Sequence, residues 1–189
     1  MNSHNASSKI LFVVIIVLGW SLTSAAIPNV NIQKAIAVGV DTGITRTNDA
    51  TFQSPLYIEL DKTTSQKAVV VNGTTTHAIE IKFSGHGTAK GVNYIDSGNG
   101  LIIPRDNGVI IVKGRVTMMT SSGETASATF QEIGHPAADA NNAIITASGA
   151  AFFDANATGR LAFLANTVAV YKDQICKDGT DKVIAWEWK

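Results

Sequence analysis

The alternation of apolar and polar residues with a period of two is the feature that most constrains this chain, and it runs through almost every window after residue 26. Successive side chains of a β-strand point to opposite faces of the sheet, so this pattern predicts strands with one buried face. No long stretch keeps the period of about 3.6 residues that an amphipathic helix requires. The pattern therefore predicts an all-β fold.

The clearest hairpin is centred on Asn72-Gly73, which separates the apolar run Val69–Val71 from Thr74–Phe83. Asn-Gly accommodates the two positive φ angles of a type I′ turn. In the second arm the odd-numbered residues from His77 to Phe83 share one face, and the even-numbered residues share the other. Apolar residues are expected to face inward and Glu and Lys outward, in this strand and in Leu56–Leu60.

Further hairpins follow at similar spacing, over residues 101–112, 109–133 and 167–188. Ile144–Phe153 is apolar on both faces and predicts a strand that is buried on both sides or faces a partner. Gly85-His86-Gly87 and Gly98-Asn99-Gly100 are interpreted as turns, because neither leads into a helix that could bind a phosphate. Roughly eight to ten strands at a spacing of roughly 8–12 residues favour a single antiparallel β-barrel, with a two-sheet β-sandwich as the alternative.

Charge excludes several classes of partner. Fifteen basic residues balance fifteen acidic residues, so the formal net charge is zero and no basic patch points to nucleic acid or to an anionic membrane surface. Hydrophobic residues make up 45% of the chain, far above the content of disordered proteins. Cys176 is the only cysteine, so no intramolecular disulfide can form. Its thiol is interpreted as a half-buried apolar group, with an intermolecular bridge as the alternative.

The N-terminal residues have the order of an export signal. Lys9 precedes the apolar run Ile10–Trp20, and small residues at Ser24 and Ala26 suit cleavage after Ala26. This predicts a signal peptide over residues 1–26 and one barrel domain over residues 27–189, secreted or at the cell surface. An uncleaved membrane anchor over Ile10–Ile27 is the alternative. Asn72 and Asn156 begin sequons and are predicted glycosylation sites.

Motifs for metal binding or catalysis are missing from the sequence. The mature histidines are His77, His86 and His135, and no H-x-H, H-E-x-x-H or C-x-x-C spacing is present. No metal or cofactor is therefore expected, and a metal site could arise only from residues distant in sequence. There is no G-x-S-x-G elbow. The glutamates are too scattered for any pair to be chosen as a catalytic dyad: Glu59, Glu80, Glu124, Glu132 and Glu187.

Aromatic residues near the C-terminus are the candidate ligand-binding residues. Trp186 and Trp188 lie two apart on one strand face, where their rings could line an apolar cavity or fill the barrel core. Tyr171 could complete either arrangement. His77 is a candidate pocket residue because it shares its face with apolar side chains.

The run Gly159–Tyr171, the turn at Asp178-Gly179 and the final Trp186-Glu187-Trp188 resemble the end of small, largely uncharacterised lipocalin-like β-barrel proteins. Residues 151–153 fit the strand that enters this loop. The sequence departs from the family pattern at Ala165, where a polar residue is expected. The resemblance implies a barrel and carries no catalytic residues.

Three functions are consistent with these observations. The leading hypothesis is a barrel that binds a small, mainly apolar ligand, because no catalytic motif is present. The second is a cyclase or isomerase, which a cavity holding His77 or a buried glutamate with a strongly shifted pKa would favour. The third is a structural or oligomeric subunit at the cell surface, in which Ile27–Val40 or Ile144–Phe153 adds a strand to a neighbour.

Overall fold

The computed structural model describes residues 54–70, 77–137 and 143–189. Within these ranges eight antiparallel strands form a closed barrel in which each strand pairs with the next and the last pairs with the first. The strands are β1 (Tyr57–Val70), β2 (His77–Ala89), β3 (Val92–Pro104), β4 (Ile110–Met119), β5 (Thr125–Pro136), β6 (Ala143–Phe153), β7 (Val168–Cys176) and β8 (Thr180–Glu187). The predicted all-β barrel is confirmed.

Closure leaves the described strands without a free edge for most of their length. β6 pairs with β5 on one side and with β7 on the other, so this strand has no edge to offer to a neighbouring molecule. The predicted export signal, the segment Ile27–Val40 and the sequon at Asn72 lie outside the described residues. Among the residues that are described, no helix has the length and apolar character needed to cross a membrane.

Both glycine triplets lie inside strands, so their interpretation as turns is wrong. Gly85 pairs with Asp61 of β1, and Gly98 pairs with Phe83 of β2. A Cβ atom at Gly85 would overlap Asp61 Oδ1, and one at Gly98 would overlap the Phe83 ring. Glycine at these inward positions therefore leaves room for larger side chains from the neighbouring strand.

A 3₁₀ segment, Gly159–Leu164, closes one end of the barrel between β6 and β7. Leu161 and Leu164 are 0% exposed and pack into the core with the rings of Tyr57 and Phe153, whose centroids are 6.1 Å apart in an edge-to-face arrangement. The segment and these rings fill the barrel at this end.

Glu124 holds this segment against the β4–β5 turn. Its carboxylate accepts a hydrogen bond from the Arg160 backbone N–H at 3.0 Å and one from Arg160 Nε at 2.8 Å. These bonds, the backbone one foremost, lower the pKa of Glu124 to about 2. Gly159 has a φ of 53°, and a Cβ there would meet the Glu124 carboxylate, so glycine is required.

Replacing Leu161 by alanine should destabilise the fold by about 3 kcal/mol, because a fully buried leucine leaves a cavity when it is truncated. Leu60→Ala is the matched control, since Leu60 is 39% exposed on the outside of the barrel and its loss should cost under about 1 kcal/mol. Urea unfolding followed by circular dichroism measures both values. Equal losses in the two variants would contradict the role of the segment as an end plug.

Candidate ligand site inside the barrel

A cavity of about 140 Å³ lies in the barrel interior beyond this plug, and all eight strands contribute residues to its lining. Branched aliphatic side chains form most of its apolar wall: Ile79, Ile81, Ile102, Ile110, Val112, Ile144, Ile145, Ile175 and Val183. The interior is thus packed at one end and hollow beyond it. An eight-stranded barrel has room for one small ligand in such a space.

Six carboxyl side chains, which we call the carboxyl layer, also point into the barrel: Glu59 and Asp61 of β1, Asp96 of β3, Glu132 of β5, Asp173 of β7 and Asp181 of β8. All except Asp96 line the cavity. No lysine, arginine or histidine is among the described residues that line it. The barrel therefore encloses acidic groups without basic partners.

Inward glycines bring the polar side chains together. Gly87 is the cross-strand partner of both Glu59 and Tyr94, and the Tyr94 hydroxyl donates a 2.8 Å hydrogen bond to Glu59 Oε2 across it. Gly85 lies in the same way between Asp61 and Asp96. Because glycine has no side chain, groups two strands apart can meet over it.

A third glycine of this kind lies on the opposite side of the barrel. Gly149 of β6 pairs with Glu132 on one side and with Tyr171 on the other, and interaction with the Tyr171 hydroxyl partly offsets the rise in the pKa of Glu132 that burial causes. A Cβ at Gly149 would lie 2.7 Å from both Glu132 Cβ and Tyr171 Cζ. Any larger residue at this position would separate the pair.

Several carboxyl oxygens in this layer have no hydrogen-bond partner. Both oxygens of Asp96 and one Oδ1 each of Asp61, Asp173 and Asp181 are buried and unpaired among the described residues. A buried polar atom without a partner costs about 1–3 kcal/mol. These oxygens are therefore poised to accept a hydrogen bond or a positive charge from a bound species.

Burial raises the pKa of the whole layer, because removal from water penalises the charged carboxylate. The pKa of Asp96 and that of Glu132 rise to about 7, and the pKa of Asp181 rises to about 8. For Asp61 burial and then the neighbouring Glu59 raise the pKa to about 11. Burial likewise raises the pKa of Glu59 and Asp173. Near neutral pH the layer thus holds protons.

The predicted ligand residues divide between the two faces of the barrel. Tyr171 lines the cavity, whereas neither tryptophan is among its lining residues. Ala185 is fully buried, so Trp186 lies on the opposite face of β8, and Trp188 is 63% exposed beyond the strand. Ligand contact by the tryptophans stays a prediction, and it would take place on the outer face. His77 begins β2, and its side chain lies outside what the structure describes.

Two other predicted sites have clear positions. Asn156 is exposed in the turn after β6, as a glycosylation site must be, and its modification stays a prediction. Cys176 is buried at the end of β7, and burial raises the pKa of its thiol.

Sequence reasoning missed the carboxyl layer because it assigned β1 the wrong orientation. Tyr57, Glu59 and Asp61 face inward and are buried, whereas Ile58 and Leu60 are each 39% exposed. The expected orientation, with apolar residues inside, is therefore reversed. A signal was present in the glycines of β2, which leave space beside an inward carboxyl, but the turn interpretation concealed it.

Folding stability should fall as the pH rises from 5 to 8. In the unfolded chain a carboxyl has a pKa of about 4. In the folded state Asp96 and Glu132 have a pKa of about 7, so they keep their protons until the pH approaches that value. The folded state binds more protons in this window, so the unfolding free energy falls by up to about 1.4 kcal/mol per pH unit for each such carboxyl. Urea unfolding at four pH values measures the slope.

Glu132→Gln should make this decline shallower, because one protonated group is removed. Glu80→Gln, on the exposed outer face of β2, should leave the slope unchanged. A stability that stays flat or increases from pH 5 to pH 8 would contradict a protonated interior.

The sequence matches no protein-family model and no curated protein. The fold is similar to those of several solved structures. A β-barrel-like protein from Acinetobacter baumannii AYE is 16% identical with a TM-score of 0.61, over 76% of this chain and 100% of that chain. A conserved protein of unknown function from Rhodopseudomonas palustris is 12% identical with a TM-score of 0.59, over 73% of this chain and 98% of that one.

The third similar structure is a protein with unknown function from Clostridium acetobutylicum ATCC 824. It is 11% identical with a TM-score of 0.58, over 71% of this chain and 96% of the other. At these identities the likeness concerns the fold alone. The chain is therefore a β-barrel protein whose fold other proteins share.

Proposed function

We propose that this barrel, in an exported protein, binds a small amphipathic molecule in its interior. The apolar body of the ligand lies against the isoleucine wall, and a cationic or hydrogen-bond-donating end meets the carboxyl layer. The observation that carries this proposal is a cavity that combines an apolar wall with buried carboxyls and has no basic residue in its described lining. The resemblance of Gly159–Tyr171 and the last hairpin to lipocalin-like barrels is consistent with this proposal.

Cavity size limits the ligand. Apolar cavities of about 150 Å³ in other proteins hold one benzene molecule, and this cavity measures about 140 Å³. We therefore expect a ligand about the size of a single ring with a short polar substituent. Burial of the ring supplies the hydrophobic part of the binding energy at roughly 25 cal/mol per Å² of apolar surface.

The charge of the ligand follows from the unpaired oxygens. Asp173 and Asp181 line the cavity, and each has a buried Oδ1 without a partner. An ammonium group placed there would pair with a carboxylate in surroundings of low polarity, where charge-assisted hydrogen bonds are strong. An anionic ligand would find no basic partner among the described lining residues.

Benzylamine should bind at least about tenfold more tightly than toluene at pH 8, because a hydrogen bond to a charged group contributes about 1.5–3 kcal/mol. The two probes have similar rings and differ in the amine. Saturation-transfer NMR with the full chain measures both affinities by titration. Equal affinities, or binding of neither probe, would contradict the proposal.

Ile81→Trp should abolish binding of both probes by filling the cavity from β2. Ile133→Trp is the matched control, because Ile133 is 47% exposed on the outer face of β5. Binding that survives Ile81→Trp in a folded protein would place the probe outside the barrel.

A second candidate function is acid–base catalysis of the isomerase or cyclase kind. Glu132 faces the cavity, lies across Gly149 from Tyr171, and has a pKa raised by burial to about 7. A carboxyl with such a pKa can accept and return a proton near neutral pH. This buried glutamate is the feature that favours the enzyme hypothesis over the purely binding one.

Proton abstraction can be tested with 5-nitrobenzisoxazole, an apolar probe that opens when a base removes its ring proton. The rate above background should rise through about pH 7 as Glu132 ionises, and Glu132→Gln should remove most of it. Glu80→Gln, on the outer face, should have no effect. Absorbance of the phenolate product measures the rate. An unchanged rate in Glu132→Gln would eliminate Glu132 as a base.

A further inference from the structure

Three carboxyls of the layer converge on one point of the barrel wall. One oxygen each from Glu59, Asp61 and Asp96 lies within 4.8 Å of the others, and all three side chains are buried. Oxygens that share a calcium ion at about 2.3–2.6 Å are at most about 5 Å apart. The three oxygens are therefore close enough to surround one ion.

Asp96 is a second, independent observation that favours a bound cation at this cluster. This side chain is only 5% exposed, and neither of its oxygens has a hydrogen-bond partner among the described residues. Its cross-strand partner is Gly85, which leaves the space between Asp96 and Asp61 free of any side chain. A carboxylate buried in this way is stabilised when it is paired with a cation.

Other polar groups around the cluster do not supply that charge. Tyr94 donates its proton to Glu59 and so orients that carboxyl. Asp181 is the cross-strand partner of Asp61 and brings a further unpaired oxygen. The other ionisable groups among the described residues that line the cavity are acidic or phenolic: Tyr57, Glu132, Tyr171 and Asp173.

We propose that Glu59, Asp61 and Asp96 bind one divalent cation of the oxygen-preferring class, such as calcium, magnesium or manganese, inside the barrel. Carboxylate oxygens are the ligands these ions select, whereas zinc and copper sites usually include histidine or cysteine. Glu59 and Asp61 also line the cavity, so the ion would lie at its wall. The inference does not depend on the proposed ligand, because the metal alone is the probe.

Binding of the ion requires the carboxyls to lose their protons. A metal ion competes with protons for carboxylate oxygens, so protons bound to the cluster should be released as the metal binds, and affinity should increase with pH. A surface cluster of ionised carboxylates would release none near neutral pH. Proton release therefore distinguishes the interior site from weak binding outside the barrel.

Isothermal titration calorimetry of the full chain, stripped with EDTA, tests the proposal with calcium, magnesium and manganese chlorides in turn. At pH 8 at least one of the three should bind with a stoichiometry of one, and its affinity should fall at least about tenfold at pH 6.5. Buffers with different ionisation enthalpies reveal the released protons. No saturable heat with any of the three ions at pH 8 would overturn the proposal.

Asp96→Asn should weaken metal binding at least about tenfold. Glu80→Gln is the control, since it removes a carboxyl from the exposed outer face of β2, where water and salt screen its charge, and it should change the affinity less than about threefold. Circular dichroism establishes that each variant folds, and Asp61→Asn replaces Asp96→Asn if the latter does not. If the cluster variant and the control variant lose the same metal affinity, binding would depend only on the overall negative charge, and the proposed site would be wrong. Metal binding without benzylamine binding would contradict only the proposed function.

Discussion

Hydrogen bonding between the first and last strands is the constraint on which the rest of this structure depends. β1 pairs with β8 from Tyr57↔Ala185 to Lys62↔Thr180, and this pairing turns a meander of hairpins into a closed barrel. Closure gives every strand one face toward a common interior and holds the register around the ring. Residues more than a hundred positions apart, such as Asp61 and Asp181, thereby become direct neighbours.

Within this closed sheet, glycine positions decide which side chains meet. Gly85, Gly87 and Gly149 each lie in register between two polar residues of the flanking strands. At these positions a side chain would fill the space that a carboxyl or a phenol now occupies. Because these glycines have no Cβ, the carboxyl layer fits beside the apolar wall of the cavity. The amphipathic ligand, the alternative of proton transfer and the divalent cation are all inferred from this combination of buried carboxyls and apolar side chains.

Much of the fold could be predicted from local pattern. The hairpins over residues 109–133 and 167–188 lie where turn residues and alternation indicated, and β6 begins within one residue of the predicted Ile144. The candidate site was accessible only in part. Tyr171 was identified and lines the cavity, whereas the carboxyl layer was missed because hydrophobicity alone predicted that Ile58 and Leu60 would face inward. Alternation defines two faces of a strand, but closure and packing against the end plug determine which of them is inside.

By itself, the sequence determined that this chain forms antiparallel strands, several of them joined by tight turns, because period-two alternation and turn chemistry act over a few residues. Only the tertiary structure decided that Glu59, Asp61 and Asp96 lie close together in the interior, and that neither Trp186 nor Trp188 lines the cavity. The physical reason is that burial of a carboxyl is a property of the whole barrel. It depends on register, on glycine in the neighbouring strand and on closure, and none of these is set by the residues next to it in the chain.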